Sequence, residues 1–129
     1  MEILNIIVLT LSGLLLFLVG TLRLIDPIKN YSKNSGITLT NDENLLNEIR
    51  GISSLMLIGG IIILLGIKIS SLTNISYSVA ILIFIGFLFG RIISIFIDGK
   101  PNKLIINGII SEAILGGLNI FCLVNALNQ

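Results

Sequence analysis

The chain has 129 residues, 54% of them hydrophobic and 12% charged, and eight basic against seven acidic side chains leave a net charge of +1. That length allows one domain and that composition places it in the membrane class, while the lack of a basic stripe with interleaved aromatics makes nucleic acid an unexpected partner. With no histidine and one cysteine, haem ligation by histidine, histidine acid–base catalysis, zinc sites and paired-cysteine chemistry are excluded, so no metal or cofactor is expected.

Ile3 to Leu22 is 20 residues without a charge, which at about 1.5 Å per helical residue covers roughly 30 Å, the thickness of a bilayer's hydrocarbon core. A cleaved leader needs a basic start and a small-residue cleavage site. The only charged side chain before this run is Glu2 and no such site follows it, so a retained span over 3–25 is expected, closed by Arg23, Asp26 and a helix-stopping Pro27. Next, Thr40-Asn41-Asp42-Glu43 fits a capping box in which the Thr40 hydroxyl and the Glu43 carboxylate satisfy free helical N–H groups. It predicts a helix from near Asn41 to Ile67, membrane-embedded over 45–67, whose first turns carry Glu43, Glu48 and Arg50 to the interface. The third span is expected over 75–97, containing Arg91 and ending in the turn Asp98-Gly99-Lys100-Pro101. The fourth, over 104–127, is uncharged except for Glu112, and its Cys122 reads as a small apolar filler rather than a reactive thiol. These segments predict an all-α integral membrane four-helix bundle of antiparallel up-down topology, a single membrane domain over 1–129.

Seven of the eight basic residues (Arg23, Lys29, Lys33, Arg50, Arg91, Lys100 and Lys103) lie in or beside the first and third connections, and Lys68 alone in the second. By the positive-inside rule those two connections are cytoplasmic, which puts both termini outside in a bacterial plasma membrane. Membrane helices pack by close contact at small residues. The expected seams are Gly13 and Gly20 on the first helix, Gly51 and Gly59 on the second, the pair Gly86 and Gly90 on the third, and Gly108 and Gly116 flanking Glu112 on the fourth. These read as packing faces within one chain in preference to a homodimer seam. No internal repeat points to an inverted-repeat transporter.

Charges at membrane depth are costly and face a bundle interior. Arg91 lies nine residues before Lys100 and Glu112 twelve after it, so both sit roughly 13–18 Å from that turn and are expected to pair. Ser94 and Asp98 continue the Arg91 face, while Arg23, Glu48 and Arg50 come from the other two helices at the same end. The candidate site is therefore Arg23, Glu48, Arg50, Arg91, Ser94, Asp98 and Glu112. It reads either as a self-neutralised network that fixes helix register or as a polar pocket for an anionic or amphipathic ligand held by Arg50 and Arg91.

The strings Asn47-Glu48-x-Arg50-Gly51, Gly90-Arg91-x-x-Ser94-x-x-x-Asp98-Gly99-x-Pro101 and Glu112-x-x-x-Gly116 resemble the bacterial membrane-protein family catalogued as domain of unknown function 4345. The resemblance covers nearly the whole chain in order and implies four spans and a plasma-membrane location, with no reaction to carry over. More loosely the layout is similar to DoxX-like four-helix proteins, some of which accompany quinone-linked oxidoreductases. Three functions remain open. The preferred one is a non-catalytic membrane module, either an accessory subunit, in a homodimer or with a membrane partner, or a binder of lipid or a small amphipathic molecule. The second is a small oligomeric proton-linked transporter using Glu112. The third is a lipid-modifying enzyme with Glu112, Asp98 or Glu48 as acid or base, for which no catalytic residue can be fixed from sequence.

Overall fold

The computed structural model describes residues 2–128 as five α-helices joined by short connections: α1 (Ile3–Ile25), α2 (Pro27–Ser35), α3 (Glu43–Lys68), α4 (Thr73–Asp98) and α5 (Lys103–Leu127). All except α2 are long and apolar enough to cross a membrane. They run up and down in the expected order, with every end within two residues of the expected spans; α3 and α4 each begin two residues earlier than 45 and 75.

Pro27 does more than stop a helix. A proline at the first helical position has no N–H to leave unsatisfied and its φ is already helical, so the residue that ends α1 also starts α2. The Asp26 side chain caps this start by accepting from the Lys29 N–H at 3.2 Å. Gly36, in the left-handed conformation at φ 64°, ends α2, with its N–H donating to the Ser32 carbonyl and the Ile37 N–H to the Tyr31 carbonyl. The carbonyls left free at the end of α1 are also answered. Arg50 of α3 reaches across to the Leu24 and Ile25 carbonyls, and Asn30 Nδ2 adds a second donor, at 2.9 Å, to the Leu22 carbonyl that already accepts from the Asp26 N–H.

At the start of α3 the expected cap shifts by two residues. Asp42, not Thr40, is the N-cap, its carboxylate accepting from the Leu45 N–H at 2.8 Å. Both residues are cap formers, but Asp42 stands immediately before the first helical residue and Thr40 does not.

The glycines divide by what each one faces. On α1 and α3, a Cβ placed on Gly20 would stand 2.6 Å from the Leu57 N and 2.8 Å from the Ser53 O, and one on Gly60 would stand 2.6 Å from the Phe17 N and 2.8 Å from the Gly13 O. Backbone thus meets backbone along the α1–α3 seam, where only hydrogen fits. Gly59, Gly66 and Gly116 admit the side chains of Ile83, Ser76 and Ile85 of α4. Gly51, Gly86 and Gly90, expected at seams, are instead exposed, and a methyl group added at any of them would have nothing within 4 Å. Arg91 faces inward with Phe84 and Phe87, and Gly86 and Gly90 fall about a third of a turn round the helix from that face.

The buried centre is built from Leu9, Leu16, Ile63, Tyr77, Ala80, Phe84 and Cys122, so the cysteine is a core filler. Asn119 Nδ2 donates to Ser12 Oγ at 2.8 Å and ties α5 to α1 through the middle of the bundle. Outward-facing Leu82, Phe89 and Phe96 are exposed, as are many leucines and isoleucines. In water an apolar surface of this extent marks a partner; around four membrane-length helices the partner is lipid.

Candidate functional site

α1 packs extensively on α3, and α4 on both α3 and α5, but α1 and α5 meet at few residues. Towards the end where α1 runs into α2 and α4 into α5, that separation opens into a cavity of about 420 Å³, within the range typical of small-molecule sites. Its floor is apolar, made by Leu16, Met56, Phe84 and Phe87, and its charged wall consists of Arg23 from α1, Arg91 from α4 and Glu112 from α5. α2 covers it with Tyr31 and Ser35. Leu15, Ile52 and Leu104 line the cavity and are also exposed on the bundle's outer surface, so the cavity wall is thin there.

Arg91 Nε stands 3.0 Å from Glu112 Oε1, the pairing that matched depth implies, although the Nε hydrogen is not aligned for a hydrogen bond. Glu112 is only 8% exposed, and its second oxygen, Oε2, is buried without a hydrogen-bond partner. Arg23 is held differently. Its guanidinium donates to Ser35 Oγ at 2.8 Å and lies 4.2 Å from the centre of the Tyr31 ring, and its Nε is buried without a partner. A cation over an aromatic face gains about 0.5–2 kcal/mol, whereas a charge at the centre of a bilayer costs about 2.5–3.5 kcal/mol on insertion scales. Tyr31 and a position near the end of α1 offset much of that cost without neutralising the charge. Asn102, in the α4–α5 turn, donates to the Ser35 carbonyl at 2.8 Å and fastens the end of α2 over the cavity.

The seven residues singled out from sequence therefore separate. Arg23, Arg91 and Glu112 come together, and Arg50 does not join them, because its guanidinium is engaged by the carbonyl end of α1, where a cation also complements the helix dipole. Glu48 is exposed and lies outside the cavity lining. Ser94 donates to Asp98 at 2.8 Å, one turn apart on an exposed face of α4, and neither lines the cavity. Charge convergence from all four spans is thus reduced to two cations and one anion from three of them. Sequence reasoning missed Tyr31 and Ser35. The signal was present in Asp26-Pro27 and Ser35-Gly36, a helix start and a helix stop nine residues apart, which fold the segment back over the end of α1.

The model of the family described as Domain of unknown function (DUF4345) matches residues 4–123. No curated protein matches the chain. No solved structure matches it either. The match covers almost the whole chain, and the chain belongs to this family.

Proposed function

We propose that this family member is a non-catalytic membrane module whose cavity binds a lipid or another amphipathic small molecule. The observation that carries the reading is the make-up of the cavity: an apolar floor, three charged side chains on one wall, and a place between the sparsely packed α1 and α5 whose lining residues Leu15 and Leu104 also reach the outer surface, where a chain would pass into the bilayer. A network serving only helix register has no need of an open volume beside it. Proton-linked transport is less well supported. One turn inward from Glu112, Gly116 is covered by the Ile85 side chain, an apolar step between the carboxylate and Asn119. In the same reading the end bearing α2 and the α4–α5 turn faces the cytoplasm of a plasma membrane, a placement supported by the basic residues gathered there.

Native mass spectrometry of protein released from gentle detergent tests the binding. A co-purifying lipid or amphiphile is expected on the wild type and missing from Gly108→Leu, because Gly108 lines the cavity and a Cβ there meets nothing within 4 Å. Equal occupancy of the two proteins would remove the cavity from consideration. For orientation, Lys33→Cys should resist a membrane-impermeant thiol reagent in intact cells and Asn128→Cys should react; Cys122, 1% exposed, contributes little background.

A further inference from the structure

We infer that the head received in this cavity carries one net negative charge together with a hydroxyl donor, and that Arg23 is the cation that meets it; the inference rests on the cavity being an amphiphile site. The charged wall holds Arg23 and Arg91 against Glu112, which leaves one positive charge uncompensated. Arg91 is already in ion-pair contact with Glu112. Arg23 has neutral company only: the Ser35 hydroxyl and the Tyr31 ring. Among the described residues no carboxylate lies within ion-pair distance of it.

The unmatched polar atoms point the same way. Arg23 Nε is a donor without an acceptor and Glu112 Oε2 an acceptor without a donor, both out of reach of bulk water. Both belong to flexible side chains lining the cavity, so a modest torsion turns either towards a seated head. A ligand that satisfies the two must bring an anionic oxygen to the guanidinium and a proton-bearing group to the carboxylate. A glycerol phosphodiester has both, one charge on phosphate and hydroxyls beyond it. A fatty acid carboxylate lacks the donor; of the zwitterionic heads, phosphatidylethanolamine supplies one in its ammonium and phosphatidylcholine none, and both leave the positive charge of the wall unbalanced. Ser35 and Tyr31 keep the Arg23 guanidinium at the cavity wall, so that only the small torsion that uncovers Nε remains to be made on binding.

The test uses the full chain in a neutral detergent, with thermal shift and native mass spectrometry as readouts. The probes are short-chain phosphatidylglycerol, phosphatidylcholine and phosphatidylethanolamine of equal chain length, and glycerophosphoglycerol, the same singly charged phosphodiester head without its chains, as the soluble source of that anion. Phosphatidylglycerol is expected to bind about tenfold or more tightly than either zwitterionic lipid, whose phosphate reaches the same guanidinium but whose ammonium meets the uncompensated positive charge of the wall. Arg23→Gln should abolish that preference while leaving weak binding of all three lipids. Arg23→Lys keeps the charge without the fork and should retain a reduced preference, which decides the matter if Arg23→Gln does not fold. Equal binding of the three lipids to the wild type would overturn the single-charge assignment and leave the amphiphile site standing. Glycerophosphoglycerol binding as tightly as phosphatidylglycerol would remove the need for the apolar floor and overturn the amphiphile reading, leaving Arg23 as an anion site. Failure of every probe to bind would overturn both.

Discussion

α1 treats its two neighbours in opposite ways. Against α3 it presents Gly13 and Gly20, and the backbones come so close that a methyl group does not fit; against α5 it presents Leu15, Val19 and Arg23, and the helices stand apart around a cavity. In lipid no hydrophobic force presses helices together, so spacing follows from what lies between them. Small residues close the α1–α3 seam, and larger, charged ones hold the α1–α5 gap open. The tight seam holds the open gap in register, because α1 anchored on α3 places Arg23 at a fixed height opposite Arg91 and Glu112.

The strongest way to break this contrast is to fill the seam. Gly60→Leu puts side-chain atoms where a Cβ alone is 2.6 Å from the Phe17 backbone N, which cannot turn aside as a side chain can. Overpacking of this kind costs typically about 1–3 kcal/mol and more where backbone must shift. A fall in thermal midpoint large enough to lose folded protein in detergent is expected, and Gly20→Leu should match it. A variant that keeps the wild-type midpoint would mean that α1 and α3 are not in backbone contact.

On the open side the expected losses are smaller and are coupled. Arg91→Gln and Glu112→Gln each strand one member of a pair standing 3.0 Å apart, whereas the double variant strands neither. In a cycle of thermal stabilities the coupling should fall in the range of about 0.5–3 kcal/mol found for contacting residues, with each single change worse than the double. Additive losses would show that the two charges do not sense one another. In that event Glu112 acts alone, and ligand binding lost only in Glu112→Gln would identify it as the binding group.

How much of this is legible in the sequence depends on which coordinate is asked for. Length and hydropathy fix where a helix crosses, so all four spans can be read to within a few residues. Counting along a helix gives depth, which is why the meeting of Arg91 with Glu112 can be anticipated from their distances to the Lys100 turn. Depth gives no azimuth. Arg50 stands at the right height for the charged wall yet points to the carbonyl end of α1, and Gly86 and Gly90 have the right spacing for a seam yet face outward. α2 escaped for another reason: its run Lys29-Asn30-Tyr31-Ser32-Lys33-Asn34 carries no apolar stripe, so only its two ends announce it, and Pro27 reads as a stop until Asp26 is seen to cap a second helix.

A smaller effect tests how α3 is led into the seam. Asp42→Ala removes the side chain that accepts from the Leu45 N–H and should cost about 1 kcal/mol, as typical cap deletions do. Thr40→Ala, two residues outside the helix, should leave the thermal midpoint within error of the wild type. The reverse result would return the cap to Thr40 and place the start of α3 near Asn41.

The smallest expected effect is also the cleanest contrast with the seam. Gly86→Ala and Gly90→Ala alter a G-x-x-x-G pair of the kind that joins membrane helices, but a methyl at either position meets nothing within 4 Å. Nothing has to move, and alanine loses less backbone freedom on folding than glycine, a gain of about 0.4–1 kcal/mol at compatible sites in soluble proteins. The thermal midpoint of each variant in detergent should therefore hold or rise slightly, while Gly60→Ala, with its backbone contacts at 2.6 and 2.8 Å, falls. The comparison is informative because the substitution is the same and only the surroundings differ. A drop at Gly86 or Gly90 that deepens with protein concentration would mean that a second copy of the chain seals this face of α4. The small residues there would then be a seam between molecules, and the single-chain bundle would be one half of the working assembly.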